Sequence, residues 1–167
     1  GIIGMPGCEE LTDKIDQYLV KWRKTQAIEH AESIAFFGYQ RDSYKIDITI
    51  PRFGSGEGKG VINESVRGYD IYIVCDVFNY SCTYNMYGKE VCMSPDDHFA
   101  DLKRVISALC SKPKRVSVIM PMLYEGRQHK RSSRESLDCA MALKELVHLG
   151  VENIITFDAH DQRVQNA

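Results

Sequence analysis

The sequence predicts an α/β domain in which a mostly parallel sheet is flanked by helices. Short apolar segments alternate along the chain with amphipathic segments of helical length, which is typical of a parallel sheet covered on both faces. Two of the apolar segments, residues 116–120 and 154–157, are followed by segments that hold many charged residues, at 121–134 and 158–161. Because ligands bind at the carboxyl ends of such strands, these segments also predict where a site lies.

Composition predicts one domain spanning residues 1–167. The 167 residues are 44% hydrophobic and 26% charged, with a formal net charge of -2, which is enough for one compact core. The near-neutral charge argues against a dedicated nucleic-acid binder. No apolar run approaches the roughly 18 residues that span a membrane, and the N-terminus lacks a signal peptide pattern. We therefore expect neither nucleic acid nor membrane as a partner, and a cytoplasmic location.

The six cysteines form no CxxC pair and no zinc-binding spacing. Cys75 lies in an apolar strand and Cys139 in a predicted helix, so buried free thiols in a reducing cytoplasm are the favoured interpretation. Cys82 and Cys92 lie among tyrosines. A local metal or redox role for that pair is the less favoured alternative, because no histidine lies at ligand spacing.

The N-terminal third predicts a strand, a helix and a hairpin. Residues 1–5 form a first strand, residues 34–37 another, and residues 44–52 alternate as a half-exposed strand or hairpin arm that returns at 61–62. The helix between the first two strands carries apolar residues at helical spacing, predicted to pack into the core. These residues are Leu11, Ile15, Tyr18, Leu19 and Trp22.

The middle of the chain predicts a central strand, an insertion and a capped helix. Residues 71–75 are continuously apolar, as in a strand buried on both faces. Residues 76–93 show little periodicity and indicate an insertion or long loop. Ser94 then caps a helix that has Pro95 in its first turn and ends at Pro113.

The last helix is predicted to begin with a capping box, in which Ser132 and Glu135 have the required spacing, and to end at Gly150.

Residues 54–60 read Gly-Ser-Gly-Glu-Gly-Lys-Gly. Glycines let successive backbone N–H groups face an anion, but the run misses the Walker spacing and lacks a Ser or Thr after the lysine. A hairpin turn is therefore favoured over a phosphate-binding loop.

Two polar segments follow the strands at 116–120 and 154–157. Residues 127–131 read Arg-Gln-His-Lys-Arg. Arginine side chains bind phosphate oxygens well, so this segment could be a phosphate-binding site. An ordinary solvated charged surface is an equally favoured interpretation. Residues 158–161 read Asp-Ala-His-Asp, where a carboxylate and an imidazole could hold Mg²⁺ together with substrate phosphates. The alternative is a turn cap and a surface histidine.

Five short motifs occur in order along the chain: Arg52-Phe53 with Glu57, Glu64 to Gly68, Arg127-Gln128, Ser133-Arg134-Glu135, and Asp158 with His160. In this order they resemble the N-terminal half of ribose-phosphate pyrophosphokinase, over residues 1–165 with extra residues near 36–44 and 76–93. Each motif is short, but the ordered set is specific.

The resemblance implies a type I phosphoribosyltransferase-like fold and a role in transferring the β,γ-diphosphoryl group of Mg-ATP to ribose 5-phosphate. It implies Mg²⁺ as the cofactor and self-association as a dimer or hexamer. The implied ATP-binding residues are Phe53, Ser55, Glu57, Arg127 and Gln128; the implied metal ligands are His160 and Asp158; and the implied regulatory phosphate ligands are Ser65, Arg67, Ser133 and Arg134.

Four residues depart from the family pattern: Ser55 replaces an acid or amide, His129 an acid, Ala159 a leucine and Asp161 an alanine. The loop that leads to Ser133 is also one residue shorter than in the family. The family's second domain, with its ribose 5-phosphate loop, is missing, so we expect a fragment without activity of its own. A non-catalytic regulatory subunit of the synthetase complex is the alternative. A nucleotide-binding module without transfer activity is a third, weaker one.

Overall fold

The computed structural model describes residues 1–33 and 40–166, so the strand predicted at 34–37 lies outside the described residues. In chain order the elements are β1 (Ile2–Gly4), α1 (Glu9–Glu29), β2 (Ile48–Thr49), β3 (Val61–Ile62), β4 (Asp70–Val74), β5 (Thr83–Met86), β6 (Lys89–Cys92), α2 (Pro95–Ala108), β7 (Arg115–Ile119), α3 (Asp138–His148), β8 (Asn153–Ile155) and a final 3-10 helix (Gln162–Asn166).

Four strands form a parallel sheet in the order β1-β4-β7-β8. One register line crosses the sheet from Ile3 to Ile73, Val118 and Ile154. The strands predicted at 1–5, 71–75, 116–120 and 154–157 are these four, and the α/β prediction is confirmed. Because all four run the same way, their carboxyl ends share one edge of the sheet.

Alternate strand residues face opposite layers. Ile3, Ile73 and Val118 have no exposed surface and belong to the main core, which also contains Leu102 of α2 and Leu146 of α3. The other face carries a smaller cluster of Ile2, Cys8 and Val74, against which Ile15 and Leu19 of α1 pack. The sheet is therefore covered on both faces, as the near-continuous apolar strands predicted.

The predicted apolar stripe of α1 is wrong for three of its five residues. Leu11, Tyr18 and Trp22 are 39%, 69% and 44% exposed. The buried face is instead centred on two polar residues. The Thr12 hydroxyl donates to the Cys8 carbonyl, and the Asp16 carboxylate accepts from Ser43 Oγ and Tyr44 N. These hydrogen bonds let polar side chains occupy the inner face, which apolar spacing could not reveal.

The predicted cap of α2 is confirmed. Ser94 Oγ accepts from Asp97 N at 3.1 Å, and the Asp97 carboxylate accepts from Ser94 N at 2.8 Å. Burial alone would raise the pKa of Asp97, but the Ser94 hydrogen bonds outweigh it and lower the pKa below its usual value. The reciprocal pair satisfies two backbone N–H groups and fixes where the helix begins.

The predicted start of α3 is wrong, although its end at Gly150 is confirmed. The Glu135 carboxylate accepts from Ser132 N at 3.2 Å, so half of the predicted capping box exists, but it closes a loop. The helix begins at Asp138, whose preceding residue makes no side-chain cap. At the other end, Gly150 has φ +93°, the left-handed conformation that ends helices.

Residues 76–93 are not a structureless loop. They contain the β5–β6 hairpin, in which Thr83 pairs with Cys92 and Met86 with Lys89. Its turn is Tyr87-Gly88, with φ of 51° and 77°, the backbone that two-residue hairpins favour. The interpretation as a loop failed because each strand of this hairpin has only four residues, which are polar on one face and only partly buried on the other. Such short strands leave little apolar alternation in the sequence.

The predicted free thiols and the hairpin arms are confirmed. Cys75 and Cys139 are buried and unpaired. Cys8 is also buried, and its burial raises the pKa of the thiol to about 11. Residues 48–49 and 61–62 pair as the antiparallel strands β2 and β3. Among the described residues, no helix is long and apolar enough to cross a membrane.

Candidate functional site

A cleft of about 500 Å³ lies at the carboxyl ends of β7 and β8. Two loops that follow these strands meet there, and they bring together Arg127, Asp158 and His160. These three residues were expected at the site from sequence. Gln128 lies next to Arg127 in the chain but does not line the cleft.

Backbone hydrogen bonds hold the two loops together beyond the ends of the strands. Phe157 N and Asp158 N donate to the Pro121 carbonyl at 3.1 and 3.0 Å, and Leu123 N donates to the Asp158 carbonyl at 3.2 Å. The sheet pairing therefore continues as a short parallel bridge between Met122 and Asp158. This pairing fixes the distance between the arginine loop and the Asp-Ala-His tip.

The cleft also contains acidic residues that sequence analysis missed. Asp96, at the start of α2, accepts from the Tyr124 hydroxyl at 2.6 Å, and Tyr124 stacks on Phe99 with ring centroids 4.2 Å apart. Burial, followed by repulsion from Asp138 and Asp96, raises the pKa of Glu125. Asp96 lies in the first turn of α2, and its position after Ser94 in the sequence gave no sign that it also faces the cleft.

The wall of the cleft thus combines three carboxylates with a cation and an imidazole. Asp96, Glu125 and Asp158 lie in the same lining as Arg127 and His160. Within the described part of the chain, Arg127 makes no ion pair. A cleft of this chemistry could accept an anion at the arginine and a hard cation at the oxygen ligands.

His129 and Asp161, two of the departures from the family pattern, lie against each other. His129 Nε2 is 3.3 Å from Asp161 Oδ2, and the His129 side chain is 6% exposed. The approach is not aligned as a hydrogen bond, so Nε2 has no such partner among the described residues. Hydrogen bonds from Arg163 hold the pKa of Asp161 well below its usual range. The carboxylate beside His129 therefore stays charged.

Asp158 and His160 do not by themselves form a complete metal cage. In the described ranges, no group of three or more His, Cys, Asp or Glu residues could hold a metal ion. Magnesium commonly keeps several waters and takes only one or two protein ligands beside substrate phosphates. The donors present fit that mode of binding and not an all-protein site.

Three of the five implied ATP-binding residues lie elsewhere. Phe53, Ser55 and Glu57 form the turn of the β2–β3 hairpin, and none of them lines the cleft. Gly56 N donates to the Phe53 carbonyl at 2.8 Å and Lys59 N to the Pro51 carbonyl at 3.0 Å. These backbone hydrogen bonds make the run a hairpin turn, the interpretation that the sequence favoured.

A buried charge network fixes this turn to α2, and sequence analysis missed it. Asp101 is 1% exposed and accepts from Arg52 and Arg104, each at 2.6 Å. Arg52 also donates to the Gly56 carbonyl at 3.0 Å. An aspartate at the centre of an amphipathic helix is indistinguishable in sequence from a surface residue, so no pattern could have revealed it.

The family model for the N-terminal domain of ribose phosphate pyrophosphokinase matches residues 1–150. The chain belongs to this family. Ribose-phosphate pyrophosphokinase from Vibrio vulnificus is 27% identical over 122 residues, which are 71% of this chain and 34% of that protein. Ribose-phosphate pyrophosphokinase B from Dictyostelium discoideum is 28% identical over 117 residues, 70% of this chain and 32% of that protein.

A solved phosphoribosylpyrophosphate synthetase from Mycobacterium smegmatis matches the fold with a TM-score of 0.68 at 20% identity, over 99% of this chain and 44% of that one. The family resemblance and the fold class predicted from sequence are therefore confirmed. The chain spans about a third of the length of the curated relatives it matches.

In this pyrophosphokinase-family domain, the four residues expected at a regulatory phosphate lie at opposite ends of the sheet. Ser65 and Arg67 precede β4 and lie at its amino end, where Gly68 N donates to the Lys112 carbonyl at 3.1 Å. Ser133 and Arg134 follow the carboxyl end of β7. All four are exposed. Within one copy, the two pairs are not brought together.

Proposed function

We propose that this domain is the ATP-binding half of a ribose-phosphate diphosphokinase. The reaction transfers the β,γ-diphosphoryl group of Mg-ATP to the anomeric hydroxyl of ribose 5-phosphate, giving AMP and phosphoribosyl pyrophosphate. The observation that carries the proposal is the convergence of Arg127, Asp158 and His160 on one cleft at the carboxyl edge of the sheet. The six unpaired cysteines support a cytoplasmic setting.

Each of the three side chains has a role that its chemistry suits. Arg127 binds phosphate oxygens through its planar guanidinium, assisted by the neighbouring Gln128. Asp158 and His160 hold Mg²⁺ together with the triphosphate. When bound, Mg²⁺ neutralises charge on the phosphate oxygens. Because phosphoryl-type transfer depends on positioning and charge neutralisation, the protein needs no covalent step.

The adenine ring is proposed to bind at Phe53, Ser55 and Glu57. Phe53 is 57% exposed, which leaves an aromatic face open for stacking. Since none of these residues lines the cleft, a single copy does not present both parts of the ATP site together. The turn of one copy therefore serves the cleft of another in a dimer or hexamer, and the regulatory phosphate pairs Ser65-Arg67 and Ser133-Arg134 meet in the same way.

The non-catalytic regulatory subunit is the second candidate. One contact favours it: Ser55 Oγ donates to Glu57 Oε2 at 2.7 Å. This hydrogen bond uses one of the carboxylate oxygens that would otherwise accept from the adenine base. In that case the domain assembles with the enzyme but binds ATP weakly.

Replacing Arg127 by alanine is expected to weaken Mg-ATP binding about ten-fold or more, because a hydrogen bond to a charged group contributes about 1.5–3 kcal/mol. Calorimetric titration of the chain measures the affinity. Arg131→Ala is the matched control, since Arg131 lies in the same loop outside the cleft. The same preparation should form no phosphoribosyl pyrophosphate.

Three results would count against this proposal. A folded wild-type chain that shows no saturable binding contradicts the nucleotide site and favours the regulatory subunit. Equal losses of Mg-ATP affinity in the Arg127 and Arg131 variants would show that binding depends on the overall positive charge of the loop and not on a specific contact of Arg127. Product formation by the chain alone contradicts the need for a second domain.

The chain is also expected to self-associate. Light scattering during gel filtration should give a mass that is a multiple of the 19.0 kDa of one copy. A monomer at all concentrations that still binds ATP through both Phe53 and Arg127 would refute the proposal of a site shared between copies. Single alanine variants at those two positions test it.

A further inference from the structure

We propose that the β5–β6 hairpin is part of the nucleotide site, with Tyr84 and Met86 as positioning residues for the turn at residues 53–57. The inference rests on the proposed function, because it takes this turn as the base-binding element. Nothing in the family resemblance assigns a role to residues 76–93, which it marks only as extra.

Backbone contact joins the tip of the hairpin to the turn. Tyr87 N donates to the Gly54 carbonyl at 2.8 Å, between Phe53 and Ser55. Tyr87 is 79% exposed and lies in the left-handed region at φ 51°. The tip of the β5–β6 hairpin is therefore folded against the turn. The hydrogen bond from Tyr87 is accepted by Gly54, which directly follows the exposed Phe53.

Side-chain packing makes a second contact. A Cβ added at Gly56 would lie 2.9 Å from Met86 Sδ and 3.3 Å from Tyr84 Cε2. Gly56 has φ +92°, which a residue without Cβ adopts freely. The middle of the turn therefore lies directly against the side chains of Met86 and Tyr84 on the inner face of the β5–β6 hairpin.

Arg52 connects these contacts to the body of the domain. Its guanidinium lies 4.5 Å from the centroid of the Tyr84 ring, within range of a cation–π interaction. It donates to the Gly56 carbonyl and to the buried Asp101. Tyr84 therefore covers the arginine that ties the turn to α2, and it shields that charge from solvent.

The consequence is a turn that is ordered before any ligand arrives. A loop that must be ordered on binding loses affinity for each side chain it immobilises, so removing the hairpin contacts should weaken recognition of the base and leave phosphate binding intact. The Arg127 cleft lies outside this packing and provides an internal reference.

The test compares the double variant Tyr84→Leu/Met86→Ala with the wild-type chain and with Thr83→Ala. Thr83 lies on the same strand with an exposed side chain, so its variant controls for general effects on the hairpin. Two probes are titrated with Mg²⁺: ATP, which has a base, and inorganic tripolyphosphate, which has none. We expect about a ten-fold loss of ATP affinity in the double variant and no change for tripolyphosphate.

Hydrogen exchange gives a readout independent of ATP. The amides of Phe53, Gly56 and Lys59 donate within the turn and should exchange faster in the double variant, while those of the Asp158 loop should not.

Unchanged ATP affinity, equal loss of both probes, or unchanged exchange in the turn would each overturn the inference. If the wild-type chain binds neither probe, the proposed function fails, and the exchange rates alone then decide whether the hairpin holds the turn.

Discussion

Replacing Asp101 by alanine is expected to lower the free energy of unfolding by about 3–5 kcal/mol, because removing one partner leaves a buried charge without compensation. The Asp101 side chain is 2% exposed and that of Arg52 is 11% exposed. Among the described residues, the alanine variant leaves the buried Arg52 guanidinium with the Gly56 carbonyl as its one remaining acceptor. Urea denaturation followed by circular dichroism measures the change.

Asp101→Asn is the matched control. It keeps the shape of the side chain and one oxygen acceptor, so its loss should be smaller than that of the alanine variant. A second control is Asp13→Ala, which removes an ion pair with Lys45 whose side chains are 48% and 47% exposed and which should change stability by less than about 1 kcal/mol. If Asp101→Ala and Asp13→Ala lowered the free energy of unfolding equally, the buried charge network would contribute no more to stability than an exposed ion pair.

The fold was predictable where burial leaves a pattern in the sequence. The apolar run at residues 71–75 contains most of β4, Val116 and Val118 lie at alternate positions of β7, and α2 begins after Ser94 with the expected cap. Prediction failed where the decisive contact joins residues far apart in the chain. Asp16 occupies the inner face of α1 because it accepts hydrogen bonds from residues 43 and 44, and no local spacing encodes that.

The candidate site shows the same division. Arg127, Asp158 and His160 could be placed at one edge because each follows a buried strand, and parallel strands bring such loops together. Asp96 and the hairpin contacts with residues 53–57 could not be foreseen, since they depend on how α2 and an insertion pack. The contact between His129 and Asp161 links two residues that departed separately from the family pattern.

Replacing Leu102 by alanine is expected to lower the free energy of unfolding by about 2–5 kcal/mol, the usual cost of deleting a fully buried leucine side chain together with the cavity that remains. Leu102 has no exposed surface and belongs to the main core with Ile73 and Val118. Thermal denaturation with the same buffer and no ligand measures the loss, and Leu149→Ala, at a residue 39% exposed, is the control.

The functional consequence of Leu102→Ala follows from what α2 carries. Its first turn supplies Asp96 to the cleft, and Asp101 anchors the turn at residues 53–57 through Arg52. Loosening the helix should therefore weaken ATP and tripolyphosphate binding together, unlike the hairpin variant, which should affect ATP alone. If the Leu102 variant instead lost affinity for ATP only, α2 would support the base-binding turn without supporting the cleft, and the two parts of the site would be mechanically independent.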